Sequence, residues 1–348
     1  MIKCLHMDPI PLESLKEKVR PMKKTLKNNL PFMILAGLLL VAVVFGTFFD
    51  YEISSAMAAL SKTSYYSQNL FAAFFEIFGE MPVYIFPSMA IFCIMIFLRD
   101  RFVKSPAPRI SISVVCVIVA VGLNYYAATR FIKASEPYFN LSLSLQGAYK
   151  NLFCLFFSAT FSLVWYLCSS SLSKKCGRQN LKKLAICSLI VIFTAIICEV
   201  ATHSLKPLFC RARYRFLFFI KENGLYAEGA EYTKWFLISK GKTLSERLLA
   251  AGVESDAFHS FPSGHSTSAA MLLSLTLLPY ASKRYDTKKY KILSFVLAVG
   301  LSFIVMAARI VAGAHYLTDV CAGFIITFAS FMLVRAVTFK IFNKALKE

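Results

Sequence analysis

The stretch LAICSLIVIFTAIICEVATHSLKPLFCRAR, residues 184–213, decides how this chain is read. Residues 184–204 are mostly apolar, long enough as a helix to cross about 30 Å of hydrocarbon. The run then ends in Lys206, Arg211 and Arg213, a cluster of cations at one end of an apolar rod. Working outward, seven further windows of similar character lie near 31–49, 82–98, 110–128, 152–169, 265–281, 292–308 and 317–337. Of the 348 residues, 57% are hydrophobic and 17% charged, and the mean hydropathy is +0.60, too apolar for an ordinary soluble protein. The sequence predicts an all-α, polytopic membrane helical bundle with about eight transmembrane helices.

The formal net charge of +20 follows the predicted spans. With the N-terminus inside, about 25 of the 39 Lys and Arg fall in inner segments, the positive-inside distribution. Both chain ends are then expected on the cytoplasmic side. No basic stretch is interleaved with aromatics on a soluble domain, so nucleic acid is not the expected partner. Ten cysteines are scattered, mostly in spans, with no metal-ligand spacing, and read as small apolar residues. The first span has a basic leader, and Ala56-Met57-Ala58 resembles a cleavage site; the apolar run is too long for a signal peptide, and an uncleaved anchor is expected.

The expected organisation is a basic cytoplasmic tail over 1–30, N-terminal transmembrane helices over 31–180, a core over 181–340 and a cytoplasmic tail over 341–348. An outer loop at 207–262, rich in aromatics, is expected as a cap. The Phe-rich stretch Leu70 to Phe78 is expected to lie along the membrane interface. His6 and His259 read as surface histidines.

Three segments carry chemistry. In KPLFCRAR (206–213), Lys206 and Arg213 lie two helical turns apart, with a kink expected at Pro207. In SFPSGH (260–265), Ser263 is placed to cap the following helix, Gly264 to admit a ligand close to the backbone, and His265 to sit in the first turn beside a bound anion. In RIVAGAHYLTD (309–319), a spacing of four puts His315 and Asp319 on one helix face, where the carboxylate is expected to take one imidazole proton and leave the other nitrogen bare. Arg309 is a third cation. Glu199 and His203, one turn apart before Lys206, are expected to pair with each other, to steer Lys206, or to make a contact between helices.

In order and spacing these segments resemble the signature of the type 2 phosphatidic acid phosphatase superfamily, K-x6-RP, PSGH and SR-x5-H-x3-D. The resemblance covers roughly Glu199 to Val337. Cys210 stands where the family often has Gly, Tyr214 replaces a Pro, and Ala308 replaces a Ser. The likeness implies a six-helix phosphatase core in which Lys206, Arg213, Ser263, Gly264 and Arg309 bind phosphate. It also implies His265 as general acid, His315 as nucleophile forming a phosphohistidine, and Asp319 as its partner; Arg211 matches a less fixed basic position. No metal and no cofactor are implied.

The expected activity is hydrolysis of a lipid phosphate or diphosphate at the outer face of a membrane, with the bilayer and a membrane lipid phosphate as partners. The bacterial cytoplasmic membrane fits the charge pattern, and so does a eukaryotic endomembrane. Alternatives are phosphotransfer to an acceptor lipid, a non-catalytic phospholipid-binding or transport protein, and a haloperoxidase. The sequence contains no sign of oligomeric state.

Overall fold

The computed structural model describes residues 12–61, 69–101, 105–139, 147–175, 178–227, 229–239 and 241–343. The tail before Leu12, with His6, and the C-terminal tail after residue 343 lie outside the described residues. Among the described residues the chain is helical without strands: α1 Leu12–Ala58, α2 Leu70–Glu80, α3 Pro82–Arg101, α4 Pro106–Phe139, α5 Ala148–Lys175 and α6 Arg178–Phe209. After these come two short helices, α7 Tyr214–Glu222 and α8 Glu246–Ala250, then α9 Gly264–Ala270, α10 Leu278–Ala281, α11 Lys288–Val311 and α12 Leu317–Ile341.

Among the described residues, seven helical segments are long and apolar enough to cross a membrane. The eighth, expected at 265–281, is not one α-helix. It runs as α9, a 3-10 stretch Met271–Leu277, and α10. A 3-10 turn rises about 2.0 Å per residue against 1.5 Å in an α-helix, so these 18 residues extend about 30 Å. The N-terminal end of this segment at His265 and the C-terminal end of α11 at Arg309 line one cavity. The chain is an integral multi-pass membrane protein.

Side-chain burial explains how the two halves hold together. One hydrophobic core joins Phe32 and Leu35 of α1, Phe92 and Met95 of α3, Ile190 of α6, Leu273 of the 3-10 stretch, Ala298 of α11, and Phe324 and Phe331 of α12. The outward faces are apolar as well: Leu40 and Val41 on α1, Ile118 on α4, Phe156 on α5 and Val296 on α11 are exposed, as lipid-facing helices require. Ala58, in the last turn of α1, packs with Tyr214 and Tyr316, so the Ala56–Ala58 stretch is part of the folded bundle.

Local caps set where the helices begin. Asn69 Oδ1 accepts the backbone N–H of Phe71 at 2.9 Å and starts α2, and Thr287 caps α11 through Tyr290 N. Pro207 sits inside the last turn of α6, which continues to Phe209. The chain reverses at Cys210 instead, whose φ of 40° is in the left-handed region that glycine adopts most easily. Glycine is indispensable at position 323 for another reason: a Cβ there would lie 2.2 Å from the backbone oxygen of Ser263. This close approach of α12 to the start of α9 brings the second and third segments together. Gly323→Ala is expected to destabilise the protein by about 1–3 kcal/mol, seen as a lower midpoint of thermal unfolding in detergent; an unchanged midpoint would contradict the close approach.

Candidate active site

A cavity of about 250 Å³ lies where the ends of α2, α3, α4, α6, α9 and α11 meet. All three segments reach it: Lys206 and Arg213 from the first, Gly264 and His265 from the second, Arg309 and His315 from the third. The side chain of Lys206 comes within 3.5 Å of the position a Cβ would take on Gly264, so the glycine leaves room for the ammonium. Ser263, expected to contact a ligand, does not line the cavity. Its Oγ accepts the N–H of Ser266 at 3.4 Å as the cap of α9, and its own N–H donates to the carbonyl of Asp319 at 3.0 Å.

His315 does not share a helix face with Asp319. α12 begins at Leu317, so His315 is in the preceding turn and Asp319 in the first helical turn. The imidazole Nδ1 is 2.7 Å from the carbonyl oxygen of Ser260 and 3.9 Å from Asp319 Oδ2. A carbonyl only accepts, so Nδ1 carries the proton and Nε2 keeps its lone pair. The imidazole N–H expected to face Asp319 faces the Ser260 carbonyl instead. Asp319 works one step back: its Oδ2 accepts the Ser260 hydroxyl at 2.5 Å and the N–H of Tyr316 at 2.9 Å. Burial, with Arg213 and Arg309 nearby, lowers the pKa of His315 to about 3, so the ring is neutral through the physiological range.

Arg211 is the clearest departure from expectation. It is buried away from the cavity lining, with Nη1 donating to Asp319 Oδ1 at 2.6 Å and Nη2 to Asp50 Oδ2 at 3.0 Å. Its Nε donates to the carbonyl of Thr233 at 2.8 Å. The rings of Tyr316 and Tyr232 flank the guanidinium at 4.1 and 5.4 Å. Such a group is a structural cation between two carboxylates. Asp50, on α1 just past the non-helical Phe49, also accepts the backbone N–H of Thr318 at 2.9 Å and the Thr318 hydroxyl, which caps α12. Gly46 allows this: a Cβ there would meet Thr318 Cγ2 at 2.8 Å.

The remaining cations keep charged company. Arg213 donates to Asp256 at 2.5 Å and to Glu254 at 3.3 Å, and Arg215 reaches the same Glu254. These acids belong to the segment between α6 and α9, which has an apolar core of its own around Phe216, Leu248, Ala257 and Phe258. The loop is tied down by backbone bonds from Arg213 N to Ala257 O and from Ser260 N to Arg211 O, at 2.9 and 3.0 Å. Beside Arg213 and Arg215, the Asp256 carboxyl is held well below the usual range despite its burial. Glu199 and His203 pair with each other at 3.3 Å on the cavity wall, and His259 lines the cavity half-buried, not on the open surface.

Sequence reasoning missed the contribution of the N-terminal helices. Glu76 and Glu80 of α2, Tyr84 of α3 and Arg130 of α4 all line the cavity. The Phe-rich helix α2, Leu70–Glu80, thus contributes Glu76 and Glu80 to the wall of the site, with Ala72, Ala73, Glu76 and Gly79 buried and the rings of Phe71 and Phe74 exposed. A signal was present: two carboxylates four residues apart in an otherwise apolar run are costly in a membrane unless paired.

Residues 184–343 match the PAP2 superfamily, a region that begins within α6 and runs through α12. No curated protein and no solved structure matches the chain. The helices carrying Asp50, Glu76, Glu80 and Arg130 therefore lie outside the matched region.

Two outcomes are expected. Asp50→Asn removes one of the two counter-charges of buried Arg211 and should cost about 3 kcal/mol, measured by thermal unfolding in detergent. In ¹⁵N-histidine-labelled protein, His315 should remain neutral with the proton on Nδ1 from pH 5 to pH 8, because its folded pKa of about 3 lies below that window; a resonance that titrates near 6.5 would contradict the assignment.

Proposed function

We propose that this chain, a member of the PAP2 superfamily, is an integral membrane phosphatase that hydrolyses a lipid phosphate or diphosphate through a phosphohistidine. The observation that carries the reading is His315: a buried, neutral imidazole whose Nδ1–H is fixed by the Ser260 carbonyl at 2.7 Å, in the cavity that also holds His265, Lys206, Arg213 and Arg309.

In the proposed reaction His315 Nε2 attacks phosphorus in line with the ester oxygen. A P–N bond forms, the P–O bond to the lipid breaks, and His265 gives its proton to the departing oxygen. Water then attacks the phosphohistidine, neutral His265 takes the water's proton, and the P–N bond breaks to release inorganic phosphate and free His315. Lys206, Arg213 and Arg309 offset the charge of the phosphoryl group and of its five-coordinate transition state. Asp319 holds Ser260, and through it the tautomer of His315, without touching the substrate.

The setting supports a lipid substrate. The cavity is at the helix ends of a bundle whose outer faces are apolar, so a phosphate can be bound while its hydrocarbon stays in the leaflet. Phosphatidate, phosphatidylglycerophosphate, a polyprenyl diphosphate and a phosphorylated glycolipid are the candidate class. The positive-inside charge distribution supports cytoplasmic chain ends and a site on the outer face.

Phosphate release by the detergent-solubilised full chain across those four substrates tests the proposal. Release from at least one is expected, lost in His315→Ala and reduced about 10²- to 10³-fold in Lys206→Ala. Near wild-type release by His315→Ala would overturn the mechanism.

A further inference from the structure

We propose that the two carboxylates of α2, Glu76 and Glu80, are positioning residues of the active site: Glu76 sets the guanidinium of Arg309 to receive phosphate, and Glu80 with Arg130 sets the imidazole of His265. This inference rests on the phosphatase reading above and extends the site to helices outside the matched region.

Glu76 Oε2 lies 2.5 Å from Arg309 Nη1, and the same oxygen accepts the hydroxyl of Tyr138 at 2.7 Å. Arg309 is fully buried, and none of its three nitrogens makes a hydrogen bond, so Nη1 meets Glu76 as an ion pair while Nε and Nη2 have no carboxylate beside them. These two atoms form the side edge of the guanidinium, which takes two oxygens of a phosphate in parallel. Glu76 pairs at the opposite corner and leaves that edge without a counter-charge, on a residue that lines the cavity. An unpaired buried donor is costly; an arginine held by one corner, with its side edge unsatisfied, is built for an anion.

Glu80 stands one helical turn further on. It takes both Nε and Nη2 of Arg130, at 3.1 and 2.5 Å, and its Oε1 is 3.4 Å from His265 Nε2. That nitrogen makes no hydrogen bond and is buried in the cavity wall. Two-point binding to Arg130 immobilises the carboxylate, and the carboxylate gives the imidazole a fixed polar neighbour. The surface of α2 between the carboxylates is pressed against α11: a Cβ on Gly79 would lie 2.6 Å from Val305 Cγ1. The spacing of four in the sequence thus becomes two supports aimed at two different groups of one site.

The test is inorganic phosphate affinity, measured by protection against thermal unfolding, together with turnover on the best lipid substrate. In Glu76→Gln, phosphate affinity should fall about tenfold and turnover at saturating substrate less than that. Tyr138→Phe, which leaves both charges intact, should move affinity in the same direction by a smaller factor. Glu80→Gln should keep phosphate affinity within about twofold of wild type while kcat falls about tenfold. Tighter phosphate binding in Glu76→Gln would show that Glu76 competes with phosphate for Arg309 and would overturn the proposal, as would wild-type behaviour in both glutamine variants. If Glu76→Gln fails to fold, Tyr138→Phe decides the Glu76 arm. Arg309→Ala separates the two readings: wild-type protein with no phosphate affinity, or Arg309→Ala with undiminished affinity, counts against the phosphatase site itself, whereas loss in Arg309→Ala without loss in Glu76→Gln counts only against the positioning role.

Discussion

The placement of His315 depends on one buried line of charge, Asp50–Arg211–Asp319. Its three members are at most 1% exposed and come from α1, from the turn after α6, and from the first turn of α12. Removing charges from water carries a large penalty, and only a complete set of partners offsets it. Here every arginine edge is used: two carboxylates, the Thr233 carbonyl and two aromatic faces. The arrangement is therefore intolerant of displacement. Asp319, so held, fixes the Ser260 hydroxyl, and the Ser260 carbonyl fixes His315.

Charge balance extends the same logic to the cavity. Arg130, Lys133, Lys206, Arg213 and Arg309 line it, and so do Glu76, Glu80, Glu199, Glu254 and Asp256. Five cations against five carboxylates leave the empty cavity formally neutral, which is how so many ionisable groups are tolerated beside a membrane. A phosphate that enters need not replace the acids. It can take the donor edges that the acids leave open, most plainly the Nε–Nη2 edge of Arg309. The loop between α6 and α9 supplies Glu254 and Asp256, α2 supplies Glu76 and Glu80, and α6 supplies Glu199, so separate parts of the chain serve one electrostatic end.

Legibility in the sequence followed the range of the interactions. The spans were readable because crossing hydrocarbon demands a long apolar run wherever it occurs. The composite nature of 264–281 was not, since the 3-10 stretch Met271–Leu277 has no compositional mark distinguishing it from α-helix. The expectation of a kink at Pro207 placed the turn three residues early, because a proline in the last turn loses little and the left-handed Cys210 makes the reversal. The His315–Asp319 spacing suggested a direct contact, and the helix starting at Leu317 moved the acceptor to Ser260. Arg211, which matched only a less fixed basic position of the motif, turns away from the cavity, because spacing alone does not say which way a side chain turns.

By itself, the sequence determined that this is an apolar helical bundle and singled out Lys206, Arg213, Gly264, His265, Arg309 and His315, which line one cavity, because membrane thickness and motif spacing are properties of the linear chain. Only the tertiary structure decided that Asp50, Glu76, Glu80 and Arg130 support that chemistry. The physical reason is that a buried charge must find its counter-charge in space. Nothing local to Asp50 or Glu76 specifies Arg211 or Arg309, more than 150 residues away in the chain; packing of α1 and α2 on α12 and α11 does.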